Sequence, residues 1–229
     1  MNVRPDLPRI APQCQADVQR TSVILVHGML ASHRSMRPIA DSLSDLGMHV
    51  TSWRYSTLIH SIRDHADRLA RVVLRHLADR DVETLHFVGH SMGCIILRQT
   101  LLRFRLSGAR FVMLAPPNGG SRLTRLPSGP LARWFPPFAE LAEHRDSLVN
   151  RLPSPTGLDV GVVAARWDRV VELEATRLRC SHEHLVVSAT HQRLPRHEEA
   201  VRQVQHFLLH GCFDRPAVTR RSDPRRRAA

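Results

Sequence analysis

Short runs of apolar and β-branched residues alternate along this chain with longer stretches whose apolar positions recur every three to four residues. That alternation predicts a parallel sheet with crossover helices. "SVILVH" (22–27) reads as a buried strand, followed by a helix over 35–46 that Gly47 ends. "MHVTSWRY" (48–55) reads as the next strand. In "SIRDHADRLARVVLRHLAD" (61–79), Ile62, Ala66, Leu69, Val73 and Leu77 share one helical face. "TLHFVGH" (84–90) is then a strand and "MGCIILRQTLLRFRL" (92–106) a helix. "ARFVMLAP" (109–116), "DVGVVAAR" (159–166) and "HLVVSAT" (184–190) supply three more strands, and "RHEEAVRQVQHFLLHG" (196–211) a last amphipathic helix. The expectation is an α/β fold: about six strands, mostly or wholly parallel, flanked by helices.

Between the fourth and fifth strands, residues 116–157 hold eight prolines and the aromatic group Trp134, Phe135 and Phe138. Such a stretch argues against regular core structure, and its aromatic group suggests a short cap over a pocket. With 229 residues, the chain is long enough for a substantial core, so residues 1–213 are read as one domain. No apolar run approaches the length of a membrane-spanning helix. The N-terminal stretch lacks an apolar block and a cleavage site, so a cytoplasmic protein is expected. Cys14, Cys94, Cys180 and Cys212 are too sparse for a disulfide framework and lack metal spacing; Cys94 is read as a small buried residue, and no metal or cofactor is expected.

The formal net charge is +12, every basic residue is arginine, and "RPAVTRRSDPRRRAA" holds six of the 33. Residues 214–229 are therefore expected to be an arginine-rich disordered tail. The favoured reading is that arginine usage is high throughout and the tail solubilises; a weak contact with an anionic membrane surface is the alternative that a cationic surface allows. Nucleic acid is the less favoured partner, because basic and aromatic residues do not interleave as a base-stacking platform requires.

The chemistry concentrates around "FVGHSMGC" (87–94), where a predicted strand meets a predicted helix. Ser91 stands there in Gly89-His90-Ser91-Met92-Gly93, a pattern weak in isolation but meaningful at a strand-to-helix turn. Small residues two positions to either side allow a sharp turn, the hydroxyl projects at the carboxyl edge of the sheet, and the Met92 amide can face a developing oxyanion. A second donor is expected from Met29, after His27 and Gly28 in the loop that follows the first strand. A serine needs a histidine to take its proton and an acid to orient that histidine. His191 directly follows the last predicted strand; His182 and His184 belong to the opposite edge, and His197, His206 and His210 to the final helix. Asp168 ends the preceding strand, with Glu172 and Glu174 as reachable alternatives slightly downstream.

"VHGMLASHRSMRPIADSL", "FVGHSMGCIILR", "VMLAPPNGGS", "DRVVELEATRL" and "HLVVSATHQRLPRHEEAVRQVQHFLLHGCF" resemble the bacterial lipase-like α/β hydrolases, over residues 22–213. The resemblance implies an α/β-hydrolase fold, nucleophile Ser91, acid Asp168, base His191 and oxyanion donors Met29 and Met92. It also implies cleavage of carboxylic esters or lipids without a cofactor. Asn118, in "PPNGGS", is expected to order the pocket rim by bonding nearby backbone. Two departures stand out. Arg169 follows the acid where relatives usually carry glycine, and its charge could hold Asp168 ionised or draw it from His191. Cys94 replaces a second glycine after the elbow. Acyl transfer, thioester cleavage, or a non-catalytic binding role for the basic surface are the alternatives to ester hydrolysis.

Overall fold

The structure, a computed structural model, describes residues 18–122 and 136–214. Its six strands are β1 (Thr21–Val26), β2 (His49–Trp53), β3 (Thr84–His90), β4 (Arg110–Leu114), β5 (Asp159–Ala165) and β6 (Glu183–Val187). They form one sheet in the order β2-β1-β3-β4-β5-β6, with every neighbouring pair parallel. The longer helices are α1 (Arg37–Asp45), α2 (Ile62–Ala78) and α3 (Met92–Leu101); α4 (Pro136–Glu140) and α5 (Leu148–Arg151) are single turns, and α6 (Glu198–His210) closes the described chain.

Successive side chains of a strand point to opposite faces, and here both faces are covered, so the strands read as continuous apolar runs. In β1, Ile24 and Val26 enter the layer formed with α2 and α3, whereas Val23 and Leu25 enter the layer formed with α1 and α6. In β4, Phe111 and Met113 go to the first layer and Val112 and Leu114 to the second. Each such fully buried side chain contributes roughly 1.5–3 kcal/mol relative to exposure. The sequence also marks where elements start and stop. The Asp64 amide donates to Ser61 Oγ at 3.0 Å, and the Ser61 amide donates back to Asp64 Oδ2 at 3.2 Å, a reciprocal cap that starts α2. After α1, Gly47 takes φ +94°, a left-handed value that ends the helix and turns the chain into β2.

Several sequence expectations are corrected. Leu77 is 44% exposed, because Val73 is the last buried residue of α2 and the helix's final turn runs clear of the core. The helix after the elbow stops at Leu101 rather than reaching residue 106: the Arg103 and Phe104 amides bond carbonyls three residues back, and the tightened chain turns toward β4. The sixth strand ends at Val187, because Ala189 bonds out of the ladder to Val187 O and Trp167 N. Within residues 116–157 the chain forms α4 and α5, and Leu141, Leu148 and Val149 join the core layer of α2 and α3. The Ile62 amide donates to Glu140 Oε2 at 2.6 Å and ties this excursion to the start of α2. Phe138 is half-buried. Trp134 and Phe135, Cys14 and the tail over 215–229 lie outside the described residues.

Candidate active site

Strand order reverses between β1 and β3, the two strands flanking the point where an open parallel sheet forms its crevice. The loop after β1 carries His27, Gly28 and Met29, and the turn after β3 carries Ser91. Ser91 has φ 53° and ψ −124°, a conformation that costs of order 1–3 kcal/mol for a residue with a side chain. The surroundings hold it there: its amide donates to Leu114 O at 2.9 Å, and its carbonyl accepts from the Cys94 amide at 2.9 Å. A Cβ on Gly93 would lie 2.3 Å from Val26 O and 2.6 Å from His27 O, and one on Gly89 would lie 2.8 Å from Cys94 N. The turn closes only with glycine at both places. Cys94 itself is buried and free, with its thiol pushed upward by burial.

Behind the elbow, His191 Nδ1 donates to Asp168 Oδ2 at 2.7 Å, with side-chain exposures of 6% and 3%. The other Asp168 oxygen accepts from the Val170 and Val171 amides, both at 2.8 Å, so the carboxylate is clamped on both sides. Among the described residues no ion pair joins Asp168 to Arg166 or Arg169, and the other acids are engaged elsewhere. Glu172 pairs with Arg122 at 2.6 Å and Glu174 with Arg177 at 3.1 Å. With its Nδ1 proton committed to Asp168, a neutral His191 carries its lone pair on Nε2. His90 Nε2 donates to His191 O at 3.1 Å, tying the histidine loop to the elbow. Burial and the neighbouring His191 ring push His90 down to about 3, so it stays neutral, and its Nδ1 is buried without a partner.

The loop after β1 is organised by His27, which the sequence placed beside the site, and by Tyr55, which sequence reasoning passed over. His27 Nδ1 donates to Gly28 O at 3.0 Å. Because a trans peptide points its C=O and N–H in opposite directions, fixing Gly28 O also fixes the direction of the Met29 N–H. His27 stacks on Tyr55 at 4.3 Å, and its carbonyl accepts from the Tyr55 hydroxyl at 2.6 Å. Burial lowers the His27 pKa, opposed by its bond to Gly28, with His33 lowering it slightly further. Gly28 abuts the elbow, for a Cβ there would come 3.0 Å from Ser91 Cβ. Tyr55 is the only tyrosine in the chain, two residues past the end of β2, which is the signal that could have singled it out.

Ser91, His90 and His191 line a cavity of about 600 Å3, with Met29, Leu141 and Val170 among its apolar walls. Met92 is fully buried at the first turn of α3, and neither its amide nor that of Met29 donates a hydrogen bond among the described residues. Asn118 is placed differently from expectation. It lines a neighbouring pocket with Arg98, accepting from Arg98 Nη1 at 2.9 Å and donating to Thr176 O at 2.7 Å. It thus clamps α3 to a segment 58 residues away rather than bonding nearby backbone at the rim. Among the described residues no His, Cys, Asp and Glu cluster could hold a metal ion, and no helix is long and apolar enough to cross a membrane.

Residues 19–115 match the family described as "Putative serine esterase (DUF676)". No curated protein sequence matches the chain. Among solved structures, phospholipase PlaB from Legionella pneumophila in complex with thio-NAD aligns with TM-score 0.56 and 21% identity, over 69% of this chain and 44% of that one. The chain thus spans less than half the length of that phospholipase. The mature Bacillus licheniformis lipase BlEst2 aligns with TM-score 0.58 and 14% identity, over 82% of this chain and 90% of the lipase. The type II thioesterase BorB from the borrelidin biosynthetic cluster aligns with TM-score 0.58 and 18% identity, over 85% and 93%. The chain has the α/β-hydrolase fold and resembles bacterial lipase- and esterase-like proteins.

Proposed function

We propose that this α/β-hydrolase-fold chain is a serine hydrolase of carboxylic esters, acting on small esters or lipids through an acyl-enzyme intermediate. The observation that carries the reading is the buried His191–Asp168 hydrogen bond at 2.7 Å, in a cavity that His191 shares with the strained Ser91. In the proposed reaction Ser91 Oγ attacks the ester carbonyl while His191 Nε2 takes its proton. Asp168 holds the imidazole in the required tautomer and stabilises the imidazolium. The Met29 and Met92 amides receive the oxyanion, each such donor being worth roughly 3 kcal/mol to the transition state. His191 then returns the proton to the departing alcohol. Water, activated by the same histidine, releases the acid. The excursion over 116–157 supplies part of the acyl wall through Leu141.

The test is labelling by a serine-directed fluorophosphonate together with turnover of short aryl esters. Both should vanish in Ser91→Ala while the melting temperature holds. A wild-type chain that neither labels nor turns over thioesters or oxygen esters would defeat the reading and favour a binding role. Product analysis with added alcohols separates hydrolysis from acyl transfer, since pocket shape selects the acceptor.

A further inference from the structure

Gln192 and Arg196 are among the residues that line the cavity of Ser91 and His191. The same two residues wall a second hollow of about 660 Å3, which also takes in Trp167, Thr190 and Arg193. Among the described residues, the lining of the first cavity contains no carboxylate and a single arginine, Arg196. The second sets Arg193 and Arg196 against one carboxylate, Glu198 at the head of α6. Arg193 and Arg196 are both exposed, and neither is in an ion pair among the described residues. Trp167, 59% exposed, adds an apolar face beside them.

Direction follows from the proton. In the reading above, His191 hands a proton to the leaving alcohol, so that alcohol departs on the His191 side of the cavity. Arg196 lies five positions after His191, on the segment that leads into α6. An anion carried on the alcohol part of the substrate would therefore reach the unpaired guanidinium groups, whose planar donor forks suit phosphate oxygens. Acyl chains would occupy the apolar walls that Met29 and Leu141 give the same cavity.

We propose that the hollow between Trp167, Arg193 and Arg196 is a subsite for a phosphate on the leaving alcohol, which makes acyl esters of phosphorylated alcohols the preferred substrates. This rests on the hydrolase reading. The phosphate has two sources, a soluble phosphate ester or a phospholipid headgroup.

The experiment compares the full-length chain on butanoyl esters of glycerol and of glycerol 3-phosphate, and on lysophosphatidylglycerol and a monoacylglycerol of the same acyl chain, each in the same neutral detergent micelles. The ratio of kcat/KM for phosphate over neutral ester should exceed one by about tenfold at low salt, and Arg196→Gln should lower it by about as much. Salt at about 0.5 M should compress the ratio in the wild type, since an exposed pair is screened. A preference in the soluble pair assigns the site to free phosphate esters; one confined to the micelles assigns it to the headgroup. Independently of turnover, glycerol 3-phosphate should bind by calorimetry and weaken about tenfold in Arg196→Gln. Absence of that binding, or a ratio near one in both pairs, or a ratio unmoved by Arg196→Gln overturns the subsite. Turnover that survives Ser91→Ala would instead overturn the hydrolase reading.

Discussion

At the scale of single residues, the Asp168 carboxylate has four assignments to satisfy with two oxygens, and it meets three of them in the fold: His191 and the amides of Val170 and Val171. The fourth is charge, which stabilises the imidazolium that forms in the proposed reaction. Asp168→Asn keeps the shape but can donate to His191 Nδ1 and trap the wrong tautomer. The expected outcome is a loss of kcat of roughly 10³–10⁴ on an aryl ester with little change in melting temperature. Gly93→Ala belongs to the same scale but acts on stability. Its methyl would meet two backbone carbonyls, at 2.3 and 2.6 Å, that cannot rotate away. We expect a loss of about 3 kcal/mol or more, read as a lowered urea midpoint, with soluble yield falling alongside.

Among elements, α3 does two things. Its N-terminus follows Ser91, and two turns further on Arg98 donates to Asn118 Oδ1, Leu152 O and Pro153 O at 2.9, 2.8 and 3.1 Å. The guanidinium is buried with no carboxylate partner among the described residues, and burial pushes it down to about 10. Its hydrogen bonds hold α3 against the "PPNGGS" turn and the chain after α5. Arg98→Leu leaves these acceptors unpaired; we expect about 3 kcal/mol of destabilisation, a drop of roughly 6–12 °C in melting temperature. Asn118→Ala should lose less, since it removes one of Arg98's three bonds together with the bond to Thr176 O. At this scale sequence was a good guide to existence and a weaker one to extent. The period of α2 was legible because its apolar residues recur regularly, but nothing local marks Leu77 as lying past the core. The strand through residues 184–190 was apolar to its end, yet the ladder stops at Val187 because Ala189 bonds Val187 O and Trp167 N instead.

Across the whole molecule, buried neutral histidines couple stability to pH. Burial holds His65 and His86 at about 4 and His90 at about 3, against 6.5 for the unperturbed ring. Between those values the unfolded chain binds protons that the folded chain refuses, so stability rises with pH there. The contribution is fully present above about 6.5 and is lost as pH falls toward 3–4. Each ring contributes up to about 1.4 kcal/mol per pH unit across that window. The urea midpoint should therefore fall steadily from pH 7 to pH 5. His65→Phe should flatten that slope by up to one proton, because the ring is fully buried and its contacts with Trp53 and Tyr55 are aromatic.

Sequence alone determined the layered α/β arrangement, because apolar period and turn residues are local properties read within ten or twenty positions. It also determined the Gly-His-Ser-Met-Gly turn, since a serine there needs glycine two places to either side whatever the rest of the chain does. Sequence placed Asp168 and His191 at one sheet edge but left Glu172 and Glu174 open as the acid, and that Asp168 is the one that meets His191 was decided only by the tertiary structure. Asp168 and His191 are 23 residues apart, and their contact depends on where β5 and β6 end side by side. The fastening of the loop after β1 by Tyr55, the turning of Asn118 toward Arg98 and the placing of Arg196 in the wall of the Ser91 cavity likewise join distant segments. Such pairings leave no periodic trace in the chain, because they are fixed by the order and register of the strands.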